Sequence, residues 1–284
     1  MSKKVFVLFG LLVAFFASSV QAAPVIYAGK KTGTVFTSYA PNLQNILSEY
    51  QDFRGDNVPK VEKTLGCTDN IQKVLTTPDS VGFCQADIVA AWKKTAGADR
   101  NKIRIVGRLP VKECMFFITA KDSPIKDEDD IPGHRVAVGN PDSGSAGSWK
   151  LILDLVPEYK EAIPSNVDGK DVLTRLTDRG EDGYDGFFFV SAKDSVNQYV
   201  RAVNAEGSQL KFIDFDDYGL NNKDADGKQL YVFEKAKINA DGDTVEVPCM
   251  DSVLIGNSEN SEELVDAIAD TMLYKSKAIV TQGK

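Results

Sequence analysis

The residues best suited to bind a ligand form a serine- and glycine-rich segment, Asp142-Ser143-Gly144-Ser145-Ala146-Gly147-Ser148. The surrounding pattern predicts that this segment joins a strand over 135–139 to a helix over 149–156. Free backbone N–H groups at a helix start, with the helix dipole behind them, favour a carboxylate or phosphate-like oxygen. Glycine lets a ligand approach the main chain, and serine hydroxyls add hydrogen bonds. A capped helix that binds nothing is the alternative interpretation of the same residues.

Polar side chains that follow two other predicted strands could face the same place. Thr32 and Thr34 come after the first strand, and Gln85 comes after the third. In an open α/β sheet, ligands bind beyond the carboxyl ends of the strands. We therefore expect these three side chains to contact a ligand, although a simple helix cap also explains the two threonines. Asp87 could contact a ligand too, but it is as well suited to cap a helix that opens at Ala86.

Several aromatic side chains could supply apolar walls for a binding site. Phe36 begins the first predicted helix, and Phe187-Phe188-Phe189 lies in a strand too apolar to be exposed. Side chains alternate between the two faces of a strand, so at least one of these three rings belongs to the core. Ser191 follows at the end of the strand where a ligand would bind. Core packing is the alternative for Phe36, as it is for Tyr27 and Trp149.

The supply of histidine and cysteine limits the chemistry available. The only histidine, His134, lies in a predicted turn. With one histidine, the chain cannot form a multi-histidine zinc site, and a Ser-His-Asp triad would have to use His134. Asn222-x-Asp224-x-Asp226-Gly227 resembles the first half of a calcium loop, but Phe233 replaces the Glu at its twelfth position, so we expect a surface hairpin. We predict no catalytic site, no metal and no cofactor.

The first 22 residues predict a cleavable secretory signal. Lys3 and Lys4 precede an apolar run over 5–16, and Val20-Gln21-Ala22 provides the −3 and −1 positions of a cleavage site. This run is shorter than the about 20 apolar residues of a membrane span, and no later segment qualifies. The formal net charge of −8 repels phosphate backbones and argues against nucleic-acid binding. We expect an exported protein that is not embedded in the membrane.

The four cysteines favour two disulfides in such a protein, with three connectivities to choose from and free thiols as the alternative.

Predicted strands and helices alternate along the chain, which indicates βαβ units and a mainly parallel sheet. The pattern starts afresh after Pro110, so the chain divides into two similar α/β units. A closing helix, with Ser261, Glu262 and Glu263 at its start, most economically packs back on the first unit. The predicted strands are 25–28, 58–64, 80–84, 103–109, 115–119, 135–139, 186–190, 210–215 and 245–256, and the predicted helices are 36–50, 69–75, 86–92, 149–156, 169–178, 194–203 and 259–279.

Four segments carry a resemblance to one family. They are the turn Thr32-Gly33-Thr34-Val35-Phe36, the strand and Gln-x-Asp turn Val81-Gly82-Phe83-Cys84-Gln85-Ala86-Asp87, the run from Gly133 to Ser145, and the strand Asp185-Gly186-Phe187-Phe188-Phe189. In this order they resemble periplasmic solute-binding proteins of the two-lobed, type II class, and most of all the TAXI family that serves TRAP-type transporters. Lys30 and Lys31, the four cysteines and an acidic insert over 216–243 depart from that family's pattern.

The resemblance implies an α/β fold of two Rossmann-like lobes, with a ligand cleft between them and two hinge crossovers. We expect residues 23–111 with 250–284 to form lobe I and residues 112–249 to form lobe II. Since the two crossovers of such proteins run side by side, the resemblance implies that a Cys114–Cys249 bond staples the hinge. Cys67 and Cys84 would then be paired within lobe I.

The resemblance also implies a function. We expect a periplasmic monomer that captures a small ligand, with carboxylate-bearing metabolites favoured, and delivers it to membrane permease subunits without catalysing a reaction. One alternative is an accessory protein of the same fold that binds an enzyme or receptor through a lobe surface. Another is an enzyme, which the lone histidine disfavours. The predicted ligand contacts are Thr32, Thr34, Phe36, Gln85, Asn140, Ser143, Gly144, Ser145, Phe189 and Ser191.

Overall fold

A mixed sheet of ten strands runs through the computed structural model, which describes residues 22–29, 36–167, 170–178, 180–221, 223, 227 and 229–281. Eight strands lie in the order β2-β1-β3-β10-β4-β7-β5-β6, while β8 pairs with β4 and β9 with β10. The strands are β1 (Val25–Tyr27), β2 (Lys60–Glu62), β3 (Ser80–Gln85), β4 (Ile103–Ala120), β5 (Arg135–Val138), β6 (Ile163–Asn166), β7 (Gly186–Ala192), β8 (Leu210–Ile213), β9 (Val232–Lys237) and β10 (Thr244–Asn257).

Helices cover both faces of this sheet and begin close to where the sequence predicts them. One exception is α4, which begins five residues before the predicted start at Trp149, because the Ser143 side chain caps it. Another is α6, which begins four residues after the predicted start at Asp194, and the closing helix predicted over 259–279 is divided into α7 and α8. No helix within the described residues has the length and apolar character needed to cross a membrane. The helices are α1 (Phe36–Leu47), α2 (Cys67–Thr76), α3 (Ala86–Thr95), α4 (Gly144–Leu155), α5 (Lys170–Thr177), α6 (Gln198–Val203), α7 (Glu262–Tyr274) and α8 (Ser276–Val280).

Some predicted segments lie outside the described residues. They are the signal sequence up to Gln21, the turn with Thr32 and Thr34, and the aspartates of the calcium-like loop.

The two longest strands, β4 and β10, lie antiparallel at the centre of the sheet. The expectation of a mainly parallel sheet is wrong, because β4 and β10 run antiparallel to each strand that they pair with. The sequence predicts two strands, 103–109 and 115–119, where the structure has the single strand β4. The prediction divides the strand at Pro110, because proline cannot donate to a ladder of hydrogen bonds. The register of β10 against β4 shifts between Asp251 and Val253, opposite Pro110, and this irregularity accommodates the proline within a continuous strand.

The buried apolar side chains fall into clusters on either side of this central pair. One cluster draws its buried members from 114–250, and the other two draw theirs from 26–109 and 253–279. Leu264 and Ile268 of α7 share a cluster with Leu43 of α1, so the closing helix packs on the first half of the chain. The molecule thus has two lobes that share β4 and β10. The residue boundaries given above for lobes I and II remain a prediction.

Both expected disulfides are present. Cys114 of β4 and Cys249 of β10 are direct neighbours in the antiparallel register, with Cα atoms 4.0 Å apart. Cys67 at the start of α2 is bonded to Cys84 of β3, with Cα atoms 4.6 Å apart. The first bond closes a loop of 135 residues at the point where the chain enters and leaves lobe II.

Removing the hinge disulfide should destabilise the protein more than removing the other. A loop of 100 residues contributes about 4.7 kcal/mol in the chain-entropy account and a loop of 15 residues about 3 kcal/mol, and the loops here span 135 and 17 residues. Guanidinium denaturation should therefore show a larger loss of unfolding free energy for C114S/C249S than for C67S/C84S. All four sulfurs are buried, so the second pair is a matched control. Two or more free thiols in the unfolded, unreduced wild type would contradict this pairing.

Candidate functional site

The serine- and glycine-rich segment forms the turn before α4 and its first helical residues. Ser143 is the N-cap residue, and its Oγ accepts a hydrogen bond from the N–H of Ala146 at 3.2 Å. The Oγ of Ser145 accepts from the N–H of Val190 at 2.9 Å and so ties the helix start to β7. The Ala146 N–H is thus taken up by the cap, and the N–H groups of Gly144 and Ser145, which have no acceptor within the helix, are the donors that the turn presents beyond the end of β5.

Lobe I meets this turn directly, and glycines allow the close approach. A Cβ atom added to Gly144 would overlap the amide of Gln85, which ends β3. A Cβ atom added to Gly147 would lie 2.6 Å from Cδ1 of Ile88 in α3. Gly66, before α2, is similarly confined by the backbone that precedes α4. The end of β3 and the starts of α2 and α3 therefore contact the start of α4 across the two lobes.

Asp87 connects the two lobes through hydrogen bonds. Its side chain is buried at the start of α3. Its Oδ2 accepts from the Ser148 hydroxyl at 2.7 Å and from the Tyr231 hydroxyl at 3.1 Å, and both donors belong to lobe II. Its Oδ1 accepts from the N–H of Ile88 at 2.8 Å, so Asp87 also takes part in starting α3, as the sequence suggested.

Glu113 is a second buried carboxylate, and it lies on the central strand β4. Its Oε2 accepts from the side-chain amide of Gln85 at 2.7 Å, and its Oε1 accepts from the Ser252 hydroxyl at 2.9 Å. The Oε1 of Gln85 has no hydrogen-bond partner within the described residues. Glu113 of β4 therefore orients the side chain of Gln85 at the lobe contact.

Burial governs the protonation of both carboxylates. Loss of hydration raises the pKa of Glu113 from 4.5 to about 7, while bonds from Ser252 and Gln85 act in the opposite direction. Burial likewise raises the pKa of Asp87, which is partly offset by its bonds from Ser148 and Ile88. Burial, followed by the nearby charge of Asp87, raises the pKa of Tyr231. Near neutral pH this contact thus holds a carboxyl group poised between charged and neutral forms.

The predicted ligand contacts occupy different places in the structure. Gln85, Ser143 and Gly144 come together at the lobe contact. Asn140 lies just before it, with its Oδ1 accepting from the N–H of Asp142 at 3.2 Å. Ser191 lies on β7 beside Cys114, and its Oγ accepts from the Asn197 side-chain amide at 2.9 Å.

Phe36 and Phe189 belong to hydrophobic cores. The ring of Phe36 stacks on Phe83, with centroids 5.6 Å apart. Phe189 stacks on Phe116, with centroids 5.4 Å apart, and on Phe187 at 5.2 Å. Because each is at most 3% exposed, we assign both rings to the cores instead of to a ligand.

Glu113 and Tyr231 belong to the site but were not predicted from the sequence. A glutamate next to a cysteine, directly before the apolar run over 115–119, was the available signal for Glu113. For Tyr231 the sequence offers no comparable signal, because its role depends on contact with Asp87, which is 144 residues away.

A comparison with protein families gives the affiliation of the chain. A model of the NMT1-like family matches residues 26–281. The chain belongs to the NMT1-like family. No curated protein sequence matches this NMT1-like protein.

Solved structures show the same fold at low sequence identity. The periplasmic binding protein BugD is 12% identical, with a TM-score of 0.52 over 90% of this chain and 84% of BugD. The substrate-binding protein of an amino acid ABC transporter is 12% identical, with a TM-score of 0.51 over 90% of this chain and 95% of that one. MatC from Rhodopseudomonas palustris with bound malate is 14% identical, with a TM-score of 0.50 over 90% of this chain and 86% of MatC. The NMT1-like protein therefore has the two-lobed fold of periplasmic solute-binding proteins.

Glu113 should make the NMT1-like protein less stable as the pH rises. Its pKa is raised on folding, so the folded state binds the proton more tightly, and the stability present at low pH is lost as the pH passes through the folded pKa. A rise from 4.5 to about 7 corresponds to a loss of about 3 kcal/mol between pH 5 and 8. Guanidinium midpoints at the two pH values should show this loss in the wild type and a smaller one in Glu113→Gln.

The half-buried Glu128 provides the matched control for this experiment. Burial and neighbouring Asp216 also raise its pKa to about 7, but solvent screens a half-exposed group. Glu128→Gln should therefore retain most of the pH dependence. Equal pH dependence in the wild type and Glu113→Gln would refute the role given to Glu113.

A double-mutant cycle tests the contact between the lobes. Gly147→Ala should destabilise the closed arrangement by roughly 1–3 kcal/mol, because its Cβ overlaps Ile88, although the higher helix propensity of Ala recovers up to about 1 kcal/mol. Ile88→Val deletes the Cδ1 atom that the new Cβ would meet. Thermal unfolding should show that Gly147→Ala costs less in the Ile88→Val background. Strictly additive effects would mean that these residues do not touch.

Proposed function

We propose that this protein is an extracytoplasmic solute-binding protein whose two lobes close on a small ligand and release it to a membrane permease. The contact between Gln85 of lobe I and the Ser143–Gly144 turn of lobe II carries this proposal. Here a helix start and a buried amide face each other across a pair of shared strands. Opening about those strands would separate these groups and leave their hydrogen-bonding capacity to a ligand.

The ligand class follows from the donors at this contact. The start of α4 supplies N–H groups and a positive dipole end, so it favours a carboxylate or a similar anionic oxygen. We propose Gln85, Asn140, Ser143, Gly144 and Ser145 as ligand contacts, with Thr32 and Thr34 added from lobe I and Ser191 near the hinge. MatC, solved with malate, offers an example of a dicarboxylate bound by a protein of this fold.

We further propose the cellular setting. Residues 1–22 would direct export to the periplasm, where a monomer would work with the permease subunits of a TRAP-type transporter, as in the TAXI family. No reaction and no cofactor form part of this function. The family match and the fold support the setting, and the motifs quoted above support the narrower affiliation.

A second candidate function is an accessory protein that binds a partner through a lobe surface. The observation that favours it is the direct bonding between the lobes. Ser148 and Tyr231 of lobe II donate to Asp87 of lobe I, and Gly144 lies against Gln85. These hydrogen bonds and this close packing would hold the lobes together without a ligand.

Ligand binding separates the two functions. Native mass spectrometry of protein purified from the periplasm should detect a bound small molecule. After unfolding and refolding to remove that molecule, a library of mono- and dicarboxylates should contain compounds that raise the melting temperature. A ligand at 100 times its Kd adds about 2.7 kcal/mol, which corresponds to roughly 5–10 °C for a protein of this size.

Matched glutamine variants connect such a hit to the site. Gln85→Ala should weaken binding at least tenfold, whereas Gln72→Ala, on the exposed surface of α2, should leave it unchanged. An empty protein as isolated, together with no melting-temperature rise across the library, would reject the carrier function and favour the accessory one.

A further inference from the structure

A cavity of about 160 Å³ lies beside the hinge, against α3. Ala86, Val89, Ala90 and Lys93 line it, and their spacing places them on one face of the helix. Ile88, which faces Gly147 of α4, lies on the opposite face of α3. The cavity therefore lies on the other side of α3 from the contact between Ile88 and Gly147.

Both lobes contribute apolar walls to this cavity. Ile105 of β4 and Met250 of β10 come from the central strands, and Leu230 and Val232 come from lobe II. An apolar cavity of about 150 Å³ is large enough to hold benzene. The interior therefore suits one ring or a short alkyl chain.

The polar lining of the cavity is strongly cationic. Lys93, Arg100, Arg108 and Lys112 line it together with one carboxylate, that of Asp251. This concentration of positive charge occurs in a chain whose formal net charge is −8. The positive field of this lining attracts anions, whereas the net negative charge of the chain repels them.

Two of these cations are available to a ligand. Arg108 pairs with Asp251 at 2.6 Å, and Lys112 pairs with Glu234. Within the part of the chain that the structure describes, Lys93 and Arg100 have no carboxylate partner. Lys93 lies on α3, and Arg100 lies in the turn between α3 and β4, so both approach the cavity from lobe I.

We propose that this cavity is a second binding site, for a small organic anion with an apolar body about the size of one ring. Its apolar body would occupy the space between Val89, Met250 and Leu230, and its anionic group would lie between Lys93 and Arg100. The ligand would contact both lobes beside β4 and β10. It would thus bind at the hinge, at a place different from that of the ligand proposed between Gln85 and α4.

Methyl NMR provides a local measurement of binding to this cavity. The methionine residues after the signal are Met115, Met250 and Met272, and of these only Met250 lines the cavity. With ¹³C-methyl methionine, benzoate should shift the Met250 signal in a saturable way, with a Kd of about 1 mM or below. Met115 and Met272 should not shift. Benzyl alcohol, which has the same ring without the charge, should bind at least tenfold more weakly.

Charge variants complete the test. The double variant Lys93→Gln/Arg100→Gln should weaken benzoate binding at least tenfold, whereas Lys94→Gln/Arg104→Gln, which removes two exposed cations outside the cavity, should not change it. An unchanged melting temperature would show that both double variants are folded. The proposal is overturned if Met250 does not respond to benzoate, responds equally to benzyl alcohol, or responds equally in the Lys93→Gln/Arg100→Gln variant.

Discussion

The antiparallel pairing of β4 with β10 is the interaction on which the rest of this structure depends. The two strands pass from lobe I into lobe II side by side, and the Cys114–Cys249 bond fixes their register where they enter lobe II. Glu113, next to that bond, reaches the lobe contact through Gln85. The contact, the cationic cavity and both lobe cores are therefore all arranged around one strand pair. Any movement of the lobes has to bend or twist these strands.

The character of the lobe contact matches a joint that opens and closes. Within the described residues, the hydrophobic clusters have their buried members on separate sides of the hinge, and Ala90 and Ala91 of α3, which pack on the cluster of lobe II, are only partly buried. Hydrogen bonds to Asp87 also connect the lobes. Water can replace such bonds on opening, so the net cost of separation is modest, whereas separating a shared apolar core would expose large apolar areas.

The sequence was sufficient for features that depend on local pattern. The alternation of strands and helices indicated two α/β lobes, and the family resemblance indicated both disulfides. The sequence placed Gln85 and the Ser143–Gly144 turn in one candidate site, and the structure brings them together. It could not identify Glu113, because the role of Glu113 arises from Gln85 and Ser252, which are distant in the chain. Local pattern also does not decide which face of a fully buried strand meets a ligand, and so Phe189 was assigned to the cleft when it packs in a core.

The distance between the lobes in solution tests the central claim of hinge closure most directly. Spin labels introduced as non-cysteine residues at the exposed positions Lys94 on α3 and Lys150 on α4 would avoid the four cysteines. Pulsed dipolar spectroscopy should give one short distance in protein isolated from the periplasm, and an additional longer distance after unfolding and refolding have removed the ligand. A single identical distance in both samples would contradict the account of two lobes that close on a small molecule.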